Sequence, residues 1–176
     1  ENPNTLERYL NEIRTTIDFL RIKGIIHFDA HFRNILTDGD RIYLTDFGLV
    51  LDRNFALTKE EEAFFDRNIF YDYGEVLRNL RHLMRGSYDR CSEIDKSRII
   101  AKYNIKLGLQ PHEMVSILLD NIELIYADRD IQLDDFYVAS IVKYRSIMTL
   151  MHEFFAQIWG KPQKDTKLPH AELERL

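Results

Sequence analysis

The chain has 176 residues, 45% of them hydrophobic and 30% charged, with seven glycines and four prolines, so it can bury a core and is neither disordered nor fibrous in composition. Its formal net charge of −5 argues against a generally basic nucleic-acid binder, and no apolar run approaches the roughly 20 residues that span a bilayer. The single cysteine, Cys91, cannot form an internal disulfide, and no charged-then-apolar leader opens the chain, so the expected setting is reducing and cytoplasmic.

In chain order, Leu6, Leu10, Ile13, Ile17 and Leu20 recur at spacings of four and three, which predicts a helix over Leu6–Lys23 that stops at Gly24. The apolar pair Ile25-Ile26 follows, then the polar and aromatic run His27 to Asn34. Ile35-Leu36-Thr37 and Arg41 to Thr45 predict two strands around the turn Asp38-Gly39-Asp40, and Asp46-Phe47-Gly48 breaks the second. The pattern is irregular to about Thr58, where Thr58 and Glu61 form a capping box. Further helices are expected over Phe70–Met84 with Gly86 as the stop, over Ser92–Leu107 with Gly108 beyond, and over Pro111–Tyr126 with proline in its first turn. The longest covers Asp134–Trp159. Because Val138, Val142, Ile147 and Leu150 are apolar beside the main stripe, it reads as a helix buried on several sides rather than a dimer seam. Beyond Gly160 the tail, 161–176, is polar, carries Pro162 and Pro169, and is expected to be poorly ordered. The fold class is therefore α+β, mainly α, with a short antiparallel hairpin near the start.

Three oxygen-bearing side chains stand at the ends of short β segments: Asp29, Asn34 and, twelve residues later, Asp46. A hairpin folds back on itself, so Asn34 before it and Asp46 after it should lie close in space. Carboxylate plus amide oxygen suits a hard cation such as Mg²⁺, with phosphate and water completing the octahedron. A zinc cluster of His27, Asp29 and His31 is a rival, although no cysteine or acidic fourth ligand lies nearby.

His27-x-Asp29-x-x-x-x-Asn34 followed by Asp46-Phe47-Gly48 resembles the catalytic and metal loops of the protein-kinase-like phosphotransferases. The resemblance covers the large, C-terminal lobe of that family and implies such a lobe over residues 1–160, with the catalytic loop at 27–34 and the metal loop at 46–48. It implies ATP and Mg²⁺ as cofactors and a hydroxyl-bearing acceptor, protein or small molecule. Asp29 then orients or deprotonates the acceptor hydroxyl, and Asn34 and Asp46 hold metal and nucleotide. His31 touches the terminal phosphate or braces Asp29, Arg33 contacts a phosphate, and His27, Phe47 and Gly48 hold the two loops together. Asp72-Tyr73-Gly74 loosely resembles the segment of the family's central helix whose aspartate braces the catalytic loop.

Departures from the pattern carry their own expectations. Phe28 stands where many protein kinases have an arginine that pairs with a phosphorylated loop, so switching by such phosphorylation is not expected. His31 matches the small-molecule (aminoglycoside and choline) branch, whereas Gly48-Leu49 continues as the Ser/Thr protein kinases do. No Ala-Pro-Glu closes the short segment Leu49–Arg67. The family's small lobe is missing too: one helix precedes His27, and neither Gly-x-Gly-x-x-Gly nor Gly-Lys-Ser/Thr occurs. The chain opens at Glu1 rather than Met, so it is expected to be the excised lobe of a longer parent and a poor catalyst alone. The alternatives are a lobe without a partner kept as a non-catalytic scaffold, and a small-molecule kinase. In the latter, Glu60–Glu62 or Asp128–Asp135 would form an acidic acceptor pocket.

Overall fold

Eighteen residues with apolar side chains on one face form α1, Thr5–Ile22, which buries Ile13, Ile17 and Leu20. It ends where Gly24 takes a left-handed φ of +74°, a conformation glycine adopts without Cβ strain. These coordinates come from a computed structural model that describes residues 5–160 and 166–176, without the side chains of 159 and 160. The architecture is mainly helical α+β with two small antiparallel sheets. Contacts divide the chain into two compact units, Glu1–Asn79 with Ser146–Leu176, and Leu80–Arg145.

The first unit carries both sheets. Strand β1, Ile25–Ile26, pairs with β4, Leu51–Asp52, so that Ile25 faces Asp52 and Ile26 faces Leu51. Strands β2, Ile35–Thr37, and β3, Ile42–Leu44, pair with Leu36 opposite Tyr43. Their turn is closed by the Asp38 carboxylate, which accepts from the backbone N–H of Asp40 (2.9 Å) and Arg41 (2.8 Å). Helix α2, Lys59–Asn68, has the expected capping box between Thr58 and Glu61. Helix α3, Tyr71–Asn79, follows, and Ile13, Ile17, Ala30 and Val76 form a core cluster among α1, the hairpin and α3.

The second unit holds α4, Arg81–Asp89, α5, Glu93–Lys102, α6, Pro111–Asp120, and α7, Ile122–Ala127, with α4 packed on α6. It also holds the first part of α8, Asp135–Gly160, whose later turns belong to the first unit. Asp130, within the Asp128–Asp135 stretch, is buried. It accepts from Lys102 Nζ (2.5 Å) and the Tyr103 hydroxyl (2.6 Å), while Asp128 also takes Lys102 (2.7 Å). Lys102 bridges the two carboxylates and Arg98 Nε lies 3.8 Å from Asp130, so Asp128 and Asp130 are engaged in ion pairs rather than open to a cationic acceptor.

Three expected helices differ in extent. The Phe70–Met84 span is two helices, α3 and α4, with Leu80 between them and Gly86 inside α4. Asn79 donates its side-chain amide to the Glu75 carbonyl (2.8 Å), competing for the acceptor that a continuing helix needs. Asn121 does the same to Ile117 (2.8 Å) and separates α6 from α7 within the expected Pro111–Tyr126 helix. The Ser92–Leu107 span stops at Lys102, and Asn104 turns left-handed with φ +51°. Where the tail was expected to be poorly ordered, residues 166–176 fold back. Helix α9, His170–Leu173, buries Leu173, which with Leu168 joins Ile147, Met151 and Phe154 in a second cluster. Pro162 lies outside the described residues. Among the described residues no helix is long and apolar enough to cross a membrane.

Candidate active site

The turn after β1 is built around one buried carboxylate. Asp72, in the first turn of α3 and 3% exposed, accepts from the backbone N–H of His27 at 2.8 Å and of Phe28 at 2.9 Å. One side chain thus satisfies two buried donors in a segment that has no ladder partner there. Burial pushes the Asp72 carboxyl up to about 6, and the two N–H bonds oppose that rise. The loose sequence match of Asp72-Tyr73-Gly74 therefore falls on a side chain that touches this loop.

His27 is fully buried, and burial lowers its pKa. Its Nε2 lies 3.0 Å from the Thr45 carbonyl and its Nδ1 accepts from the Asp29 N–H at 3.2 Å. These roles require a neutral ring protonated at Nε2. With both nitrogens in use, His27 cannot join Asp29 and His31 as a zinc ligand. No group of three or more metal-binding His, Cys, Asp or Glu occurs among the described residues. The His27 ring also meets the Phe47 ring edge-on at 4.6 Å. The segment 27–34 is thus joined to Thr45 by a hydrogen bond and to Phe47 by a ring contact.

Asp29 receives two neighbours on its two oxygens. Asn34 Nδ2 donates to Oδ2 at 2.8 Å and also to the Asp29 backbone carbonyl at 2.9 Å. His31 Nε2 lies 3.4 Å from Oδ1, so His31 braces Asp29. A short 3₁₀ turn over Phe32–Asn34 brings Asn34 back toward Asp29. Because its nitrogen serves Asp29, the Asn34 amide presents its oxygen as the atom left for a cation. The adjoining strand end is tied to the same residue, since Thr45 donates its N–H (2.8 Å) and hydroxyl (3.0 Å) to the Asn34 carbonyl. Asp46 comes next, exposed and left-handed at φ +60°. Its Oδ1 takes the Gly48 N–H at 3.4 Å, and a Cβ on Gly48 would stand 3.2 Å from that oxygen. Glycine there leaves the carboxylate room.

The donor chemistry fits Mg²⁺, which takes one or two protein oxygens and fills its remaining positions with phosphate and water. Asn34 and Asp46 are the two that would hold it. Arg33 is exposed on the 3₁₀ turn. Glu60–Glu62 are exposed in the first turn of α2, where Glu61 is engaged in its cap. Burial pushes the Cys91 thiol up. A broad open depression lined by Glu7, Arg8, Asn11, Glu12 and Arg41 shares none of the site residues.

Sequence reasoning missed β4, a two-residue strand without a periodic signal, and the ring partners of Phe28 on α2 and α3, which are far apart in sequence. No family model matches the sequence, and comparison with curated proteins and with solved structures returns no match.

Proposed function

We propose that this chain is the large, C-terminal lobe of a kinase-like phosphotransferase that moves the γ-phosphoryl group of ATP to a hydroxyl. A protein serine or threonine is the first-choice acceptor, on the Gly48-Leu49 continuation. One observation carries the proposal: Asn34 spends its side-chain amide nitrogen on Asp29 while its backbone carbonyl holds Thr45, the residue before Asp46. A would-be base is thereby tied to one would-be cation ligand and to the strand end that leads into the other. A scaffold has no need of that coupling.

Asp29 accepts or orients the acceptor proton, with its carboxylate held by the Asn34 amide and flanked by His31. Phosphoryl transfer through a loose transition state asks mainly for positioning and charge stabilisation. Mg²⁺, when bound, supplies the positive charge that the phosphates require. Asn34 and Asp46 would hold it, His27 and Phe47 keep their two segments together, and His31 limits the swing of Asp29. The sequence carries no glycine-rich phosphate loop and no Gly-Lys-Ser/Thr, so the proposal includes a second lobe that supplies the cover and a lysine.

A labelled-ATP transfer assay on the parent protein tests this. Asp29→Ala is expected to slow transfer by about 10²–10⁴-fold with nucleotide affinity kept, whereas Asp46→Asn weakens Mg²⁺-dependent nucleotide binding as well. Wild-type rates in both variants would overturn the assignment.

A further inference from the structure

Phe28 stands between His27 and Asp29, and its backbone is left-handed at φ +61°. Residues with a Cβ hold that conformation only when their surroundings over-determine it. Two anchors do so here. The Asp72 carboxylate takes the Phe28 N–H, and the Phe28 ring sits against the rings of Tyr71 at 5.0 Å and Phe64 at 5.7 Å, the latter stacked at 30°. Tyr71 and Asp72 are neighbours in the first turn of α3, so this helix grips the turn by backbone and by side chain at once. Tyr71 continues edge-on to Phe154 and Phe155 of α8 at 6.3 and 6.0 Å, which ties the ring row to the core.

Phe64 belongs to α2, the first helix after Asp46-Phe47-Gly48, and is 45% exposed. Other contacts fold that stretch back on itself. Strand β4 pairs with β1, Arg53 stands over the Phe65 ring at 4.5 Å, and Arg53 also pairs with Asp66. The Phe28–Phe64 stack is the contact that joins α2 to the residue next to Asp29.

We propose that Phe28 is a positioning residue whose ring, held between Tyr71 and Phe64, latches α2 beside the loop and fixes the turn that aims Asp29 without any covalent modification. The task given to Asp29 rests on the phosphotransferase proposal above; the latch rests on ring geometry alone. Stacking needs no counter-charge, so the latch is indifferent to salt and to phosphatase.

Hydrogen exchange of the 53–64 amides and transfer kinetics, measured together on the parent protein, test both parts. In Phe64→Ala, whose ring is half exposed and whose loss spares the core, and in Phe28→Leu, exchange is expected to rise about tenfold, the scale of a lost aromatic pair. Phe28→Tyr keeps the ring and restores protection, equally in about 0.1 M and about 1 M salt. Transfer by Phe28→Leu is expected to show kcat lowered about 10²-fold, as for an ångström of misplacement, with the KM for ATP unchanged and kcat restored by Phe28→Tyr. Unchanged exchange in both Phe64→Ala and Phe28→Leu overturns the latch, and a Phe28→Leu enzyme with wild-type kcat overturns the positioning role. A wild-type parent without transfer defeats the phosphotransferase proposal and with it the task of Phe28, while the exchange result still decides the latch.

Discussion

Asp72 is the residue on which the loop turns. Its carboxyl, pushed up to about 6 from 3.8 by burial, keeps a proton in the folded state that the unfolded chain has already released between about pH 4 and 6. Its contribution to stability is therefore full below about pH 4 and is lost as pH rises to about 6, by about 3 kcal/mol at about 1.4 kcal/mol per unit. The ionised form is nevertheless the better acceptor for the two N–H groups of His27 and Phe28. Urea unfolding of wild type and Asp72→Asn across pH 4–8 checks this. The stability difference, wild type minus variant, is expected to fall through pH 4–6 and to level above pH 7; a difference independent of pH would contradict it. Asp29, Asn34 and Asp46 were legible because their spacing lies within one short stretch of chain. Asp72 gave a weaker signal, because its bonds reach back 45 and 44 residues and only folding brings those groups together.

At the scale of elements, α3 and α8 approach so closely that a Cβ on Gly74 would stand 2.5 Å from Met151 Sδ and 2.8 Å from its Cε. Met151 is fully buried, so Gly74→Ala is expected to cost about 1–3 kcal/mol by overpacking, against a helix preference for alanine of about 1 kcal/mol. Adding Met151→Ala should recover part of the loss, with a coupling of about 0.5–3 kcal/mol in a double-mutant cycle. Strict additivity would show that the two helices yield without strain. Hydrophobic spacing made α1 and α8 readable, the Asp38-Gly39-Asp40 turn marked the hairpin, and the capping box at Thr58 and Glu61 marked the start of α2. The helix breaks were not readable from that spacing, because apolar periodicity runs on through Leu80 and Asn121. The signal was instead an asparagine able to bond back to a carbonyl four residues earlier, a contact also made by Asn68 to Phe64 (2.8 Å) at the end of α2.

For the whole chain, the first unit is closed by its C-terminal residues. Leu173 is buried in the cluster with Met151 and Phe154, His170 Nδ1 lies 3.1 Å from the Arg67 carbonyl, and Arg14 donates to the Leu176 carbonyl (3.2 Å). Leu173→Ala is expected to lower the unfolding free energy by about 2–5 kcal/mol, measured by chemical denaturation. A change within about 0.5 kcal/mol, as for a surface position, would contradict the packing. The polar composition of the tail concealed this role, since two leucines suffice to anchor a short helix when a prepared apolar cluster receives them.

The central claim, that Asn34 and Asp46 converge on one divalent cation beside Asp29, is open to a direct measurement. Mn²⁺ with ATP, a paramagnetic stand-in for Mg²⁺, is titrated into the isotope-labelled protein while its amide resonances are followed. The Asn34 side-chain amide and the backbone amides of Asp29 and of Asp46, Phe47 and Gly48 are expected to broaden first and together, and Asp46→Asn to weaken the effect. Sharp lines at these positions, or broadening centred elsewhere, would contradict the account.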